Sequence, residues 1–161
     1  DTAGILHDRL MEVGARLVLK TVKSIETGDY STSPQSEYVS DSAELKPAPK
    51  IFKEDCKINW QQSVDKIYNH IRGLNPYPTA HTELVSPEGK KHFTKLFNVT
   101  KEYDEHSFPA GKVVSDNESY LKIAAKDGFI LVNEIQMAGK KRMKITDFLR
   151  GFDVSGDWQC L

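Results

Sequence analysis

The sequence has little cysteine, no surplus of either charge and no long apolar run. Two cysteines in 161 residues, Cys56 and Cys160, are too few for a disulfide scaffold and predict a reducing, cytoplasmic setting. No apolar stretch approaches the roughly 18 residues that span a bilayer, and the first residues lack the basic-then-apolar order of a secretion signal. No membrane partner is expected. The balance of 22 Lys and Arg against 23 Asp and Glu excludes a generally basic nucleic-acid coat but not a local basic patch. Also missing are a glycine-rich phosphate loop, a Gly-x-Ser-x-Gly elbow and a His-Glu-x-x-His helix. His7, His70, His81, His92 and His106 are scattered without metal-ligand spacing, so no metal site is expected. Asn98-Val99-Thr100 and Asn117-Glu118-Ser119 match the glycosylation pattern by chance in a chain without a secretion signal.

A hydrophobic content of 39% with 28% charged residues is that of a folded domain. Leu6, Leu10, Val13 and Leu17, then Val18, Val22 and Ile25, recur at three- and four-residue steps and predict a helix, capped by Asp1 or Thr2 and closed by Gly28. From Asp29 to Lys57 the text is rich in Ser, Thr, Pro and Glu with little periodicity, too long for an ordinary loop, and reads as a linker or strap. Pro47 and Pro49 stiffen it, while Lys46, Lys50, Lys53 and Lys57 punctuate it. A second helix is predicted from Ser63 to about Leu74 and is stopped by Asn75-Pro76-Tyr77-Pro78. Short strands follow near residues 80–85, 92–103, 111–115, 120–125 and 129–137, with a last helix near 146–152. The fold class is therefore α+β: an N-terminal helix and extended linker, then a small OB-like antiparallel β-barrel with a flanking helix.

Charge is least even at Lys140, Lys141, Arg142 and Lys144, four cations within five positions after the last predicted strand. A basic turn at a barrel rim suits a phosphate backbone, though charge runs are commonly solvated loops. No nucleophile, base and oxyanion site can be assembled from the sequence, so no catalytic residue is assigned.

Four segments, in order, resemble the C-terminal part of the methionyl-tRNA formyltransferase family. Asp1-Thr2-Ala3-Gly4-Ile5-Leu6-His7-Asp8-Arg9-Leu10 resembles the helix that closes its catalytic domain. Ala48-Pro49-Lys50-Ile51, with Lys53-Glu54-Asp55 and Ile58-Asn59-Trp60, is similar to the end of its linker. Arg72-Gly73-Leu74-Asn75-Pro76-Tyr77-Pro78 resembles the opening of its C-terminal barrel, and Ala138 to Met143 with Asp147-Phe148-Leu149 its closing signature. The chain departs from the family at Asn59, commonly Asp, and at Tyr77, commonly Trp.

The resemblance implies a division into residues 1–28, the last helix of an upstream catalytic domain, 29–57, a linker, and 58–161, a tRNA-binding domain. It implies a parent enzyme that moves a formyl group from 10-formyltetrahydrofolate to the amino group of methionyl initiator tRNA in translation initiation. The family's Asn-x-His and Leu-Asp-Thr-Gly-Asp segments do not occur here, so this chain alone is expected to be inactive. Candidate tRNA contacts are Lys50, Lys53, Lys57, Arg72, Lys140, Lys141, Arg142 and Lys144, with Lys90, Lys91 and Lys95 on a hairpin expected to lie away from the tRNA. The first helix's stripe is expected to be covered by the linker or by a second copy, a homodimer. A sugar-nucleotide formyltransferase, a formyltetrahydrofolate hydrolase domain and a stand-alone nucleic-acid-binding barrel are the alternative readings.

Overall fold

In the computed structural model, which describes residues 1–39 and 47–161, the first apolar stripe forms helix α1, Ala3–Thr27. Its end is a Schellman motif. Gly28 takes a φ of +72°, its N–H donates to Ile25 O (3.1 Å), and the Asp29 N–H donates to Ser24 O (2.9 Å). Lys46 lies outside the described residues. The chain divides into two compact units, Ile5–Ile51 and Asp1–Gly4 with Phe52–Leu161.

In the first unit Leu6, Leu10, Val13 and Leu17 are all more than half exposed, at 53 to 60%. The expectation that the linker covers this stripe is corrected: its described residues are mostly polar and themselves exposed, with few apolar groups to lay on a helix.

The second unit is the barrel. Helix α2, Val64–Leu74, begins at Ser63, whose hydroxyl accepts the Lys66 N–H (3.4 Å), and at Asp127, whose carboxylate accepts the Val64 N–H (2.7 Å). Its buried face is Val64, Ile67, Ile71 and Leu74. Seven strands follow: β1 (Ala80–Val85), β2 (Lys91–Glu102), β3 (Val113–Ser115), β4 (Leu121–Ala125), β5 (Gly128–Met137), β6 (Met143–Lys144) and β7 (Gln159–Cys160). They pair antiparallel in the order β3-β4-β5-β2-β1-β7, with β6 on β5. Helix α3, Ile145–Leu149, stops short of the predicted residue 152, because Arg150 and Gly151 turn back onto Thr146 and Phe148. This frees Phe152 to join Phe148, Trp158 and His92 in an aromatic cluster.

Alternation sets the two faces. Thr82, Leu84, Thr94, Leu96 and Ile135 point to the core with Trp60, whose indole N–H donates to Thr82 Oγ1 (3.0 Å), while His81, Glu83, Phe93, Lys95 and Gln136 are only part-covered. The ring closes through β7. It pairs with β1, and on its other side the Cys160 N–H donates to Gly111 O (2.7 Å) and the Val113 N–H to Trp158 O (3.0 Å), next to β3. At Gly111, with φ +88°, a Cβ would stand 2.3 Å from the Cys160 carbonyl oxygen, so glycine is required there. Both cysteines are free and buried, and burial pushes the Cys160 thiol up to about 12.

Candidate nucleic-acid interface

The basic turn is built by the hairpin that carries it. Gly139 takes a φ of +73°, the Lys140 N–H donates to Met137 O (3.0 Å), and the Gln136 side-chain amide donates to Lys140 O (2.9 Å). The chain then returns as β6, pairing Lys144 with Glu134 and Met143 with Ile135. Strand β6 was not foreseen from the sequence, and its pairing with β5 makes the basic residues the loop of a hairpin, in keeping with the turn expected there. Lys140 and Lys141 are exposed and form no ion pair among the described residues. Arg142 is different. Its guanidinium lies 4.3 Å over the Phe97 ring and pairs with the Glu134 carboxylate.

Phe97 is available because β2 has an irregularity between Leu96 and Asn98. The Phe97 carbonyl accepts from the buried Asn75 amide (2.8 Å), which fastens the Leu74-Asn75-Pro76 turn to β2. Arg72 is likewise engaged: Nε donates to Asn69 Oδ1 (2.7 Å) and Nη1 to the Asp1 carbonyl (3.0 Å).

Of the strap lysines, Lys50 is exposed in the Ile5–Ile51 unit, while Lys53 and Lys57 are exposed in the barrel unit. Lys53 Nζ lies 5.5 Å from the centre of the Phe93 ring, and Lys57 bridges to His81 of β1. Burial, then the charges of Lys53, Lys57 and Lys95 and His70, hold His81 below the ordinary histidine pKa. Lys95 thus lies beside the strap lysines, because β2 carries it back against His81. Lys91 is occupied elsewhere, in an ion pair with Glu83 (2.9 Å). A depression on the same side is lined by Lys57, Asn59, Gln62, Lys66 and His70.

Residues 50–153 match the family model described as the formyl transferase C-terminal domain. The chain belongs to the formyl transferase family. It is 50% identical to the methionyl-tRNA formyltransferase of Parabacteroides distasonis over 152 residues, 94% of this chain and 47% of that protein. It is 45% identical to the enzyme of the same name from Bacteroides thetaiotaomicron, covering 99% of this chain and 49% of the other. The chain spans about half the length of the curated relatives it matches. Among solved structures, a variant of HypX from Aquifex aeolicus aligns with TM-score 0.55 at 20% identity, over 87% of this chain and 25% of the other. HypX in complex with tetrahydrofolic acid aligns with TM-score 0.53 at 18% identity, over 88% of this chain and 26% of the other. These two alignments show a shared fold. Among the described residues no helix of this formyl transferase domain is long and apolar enough to cross a membrane, and no group of His, Cys, Asp or Glu could hold a metal ion.

Proposed function

We propose that this chain is the tRNA-contacting C-terminal portion of a methionyl-tRNA formyltransferase working in the cytoplasm in translation initiation. The observation that carries the reading is 50% identity to a protein of that name along 94% of the chain. Residues 1–28 then close the upstream catalytic domain, 29–57 link it to the barrel, and 58–161 hold initiator methionyl-tRNA. The formyl donor, 10-formyltetrahydrofolate, belongs to the upstream half. The depressions flanking residues 57–62 are lined by lysines, amides, His70 and apolar groups without an acidic side chain, which does not suit a pterin donor, and no step of the transfer is assigned to these residues.

Lys140 and Lys141 are the principal phosphate contacts, with Lys50, Lys53, Lys57 and Lys144 beside them in the reading. Arg142 and Arg72 have structural partners and serve first to position the turn and the α2 terminus. Such contacts orient the tRNA and carry little base information, so binding is weak and steeply salt-dependent. Replacing Lys140 and Lys141 by Ala is expected to flatten the log–log salt slope for initiator tRNA by about 1.8, at about 0.9 per phosphate, a B-DNA figure. Lys90→Ala is the control. An unchanged slope in the double variant would show the turn to be only a solvated loop.

The exposed stripe of α1 packs on the upstream domain in the parent protein, each side chain contributing about 1.5–3 kcal/mol when fully buried. In the isolated chain a second copy takes that place. Sedimentation is expected to give a dimer that Leu10→Asp with Leu17→Asp converts to a monomer; a monomeric starting chain would refute this.

A further inference from the structure

We propose that the outer face of β1 and β2 is a second phosphate-backbone contact for the same tRNA, built on a cross-strand row of Lys57, His81 and Lys95. The proposal rests on the tRNA reading above and extends it from Lys57 to His81 and Lys95, which no basic run in the sequence marks.

The register supplies the row. Lys57 bridges to His81, His81 lies opposite Lys95, and Lys95 lies opposite Gln136 on β5. Directly opposed residues share a face, so these four side chains stand side by side across the sheet. Three strand spacings of about 4.8 Å give a track of about 14 Å across the sheet. The track leads to the basic turn, because the Gln136 amide holds the Lys140 carbonyl. Strap and turn, far apart in sequence, are the two ends of one surface.

The charge of this surface is unbalanced. Lys53 and Lys57 reach His81 from the segment before α2, Lys95 from β2 and His70 from α2. Of the acids nearby, Glu83 pairs with Lys91 and Asp55 accepts the Phe52 N–H (2.8 Å), while Asp55 and Glu54 stand close enough to Cys56 to act on it, as Lys95 does. None of Lys53, Lys57 and Lys95 forms an ion pair among the described residues. Gathered cations that outnumber the acids beside them repel one another, and an arriving polyanion relieves that repulsion. The Phe93 ring, 4.8 Å from that of His81, adds a flat apolar surface.

A proton linkage follows. In the free chain, burial and the surrounding cations hold His81 below the ordinary histidine pKa and favour the neutral ring. Phosphates over the row offset those cations and favour the imidazolium, so binding takes up a proton and tightens as pH falls.

The test measures binding of the 161-residue chain to an initiator tRNA transcript at constant ionic strength between pH 8 and pH 6. Wild-type affinity is expected to rise by up to about tenfold per pH unit, the limit for one proton. His81→Gln is expected to abolish the rise with falling pH, whatever its affinity at pH 8. Lys95→Ala and Lys95→Met, the second keeping the packed stem, are each expected to weaken binding severalfold and lower the salt slope by about 0.9. Wild-type slopes in both Lys95 variants, with a flattened slope in the Lys140 and Lys141 double variant, would leave the tRNA reading standing and overturn this face. A pH rise that persists in His81→Gln would overturn the linkage. No binding by the wild-type chain would overturn both readings together.

Discussion

At the scale of single residues, Asp116 shows how a turn is held by one carboxylate. Oδ1 accepts the N–H groups of Glu118 (3.0 Å), Ser119 (2.8 Å) and Tyr120 (3.0 Å), and Oδ2 accepts the Ser119 hydroxyl. The Ser119 hydroxyl and these N–H groups favour the ionised form, so the Asp116 pKa falls well below the usual carboxylate range. A depressed folded-state pKa stabilises the fold above the unfolded value, near pH 4, and loses that contribution as pH falls toward the folded value. Thermal melts between pH 6 and pH 2.5 are expected to show a smaller acid loss in Asp116→Asn than in wild type. Equal acid losses would mean the carboxylate keeps the same pKa on unfolding. The sequon Asn117-Glu118-Ser119 lies inside this turn, where the Asn117 amide already donates to Asp153 (3.0 Å) and its carbonyl accepts the Val154 N–H (2.9 Å).

At the scale of elements, the start of α2 and the β4–β5 turn stabilise one another, since Asp127 accepts the Val64 N–H across 63 positions of sequence. Asp127→Ala is expected to cost about 1 kcal/mol, the typical value of a lost N-cap, and denaturant unfolding at neutral pH measures it. No change would mean that Ser63 caps the helix alone. Asp127-Gly128 is a turn-forming pair, and that is as far as local signals reach; the contact with Val64 is a product of the fold. Strands β1, β2, β4 and β5 were legible to within a residue or so at each end, because their apolar positions alternate between clear turns. Strands β6 and β7 were not, since two residues carry no period. The basic turn was legible because its cations are contiguous. Lys57, His81 and Lys95 belong to three separate segments, and only the strand register makes them neighbours.

At the scale of the whole molecule, the chain has a surface for a polyanion and no assembled chemistry in the proposed reading. Purified and supplied with 10-formyltetrahydrofolate and charged initiator tRNA, it is expected to form no formyl-methionyl-tRNA above background in an acid-gel or radiolabel assay. Measurable turnover would show that the reacting groups lie within these residues. With no turnover, the two activities, holding and transferring, are separable by cutting the parent ahead of α1. The manner in which the barrel closes bears on its birth. Gln159 and Cys160 sit between β1 and the Gly111–Val113 segment, joining the sheet's two ends. During synthesis every other stave is threaded out first, and the ring stays open until those two residues clear the ribosome's exit tunnel. In that interval both sheet margins have bare N–H and C=O groups, able to pair with a neighbouring nascent chain on the same messenger.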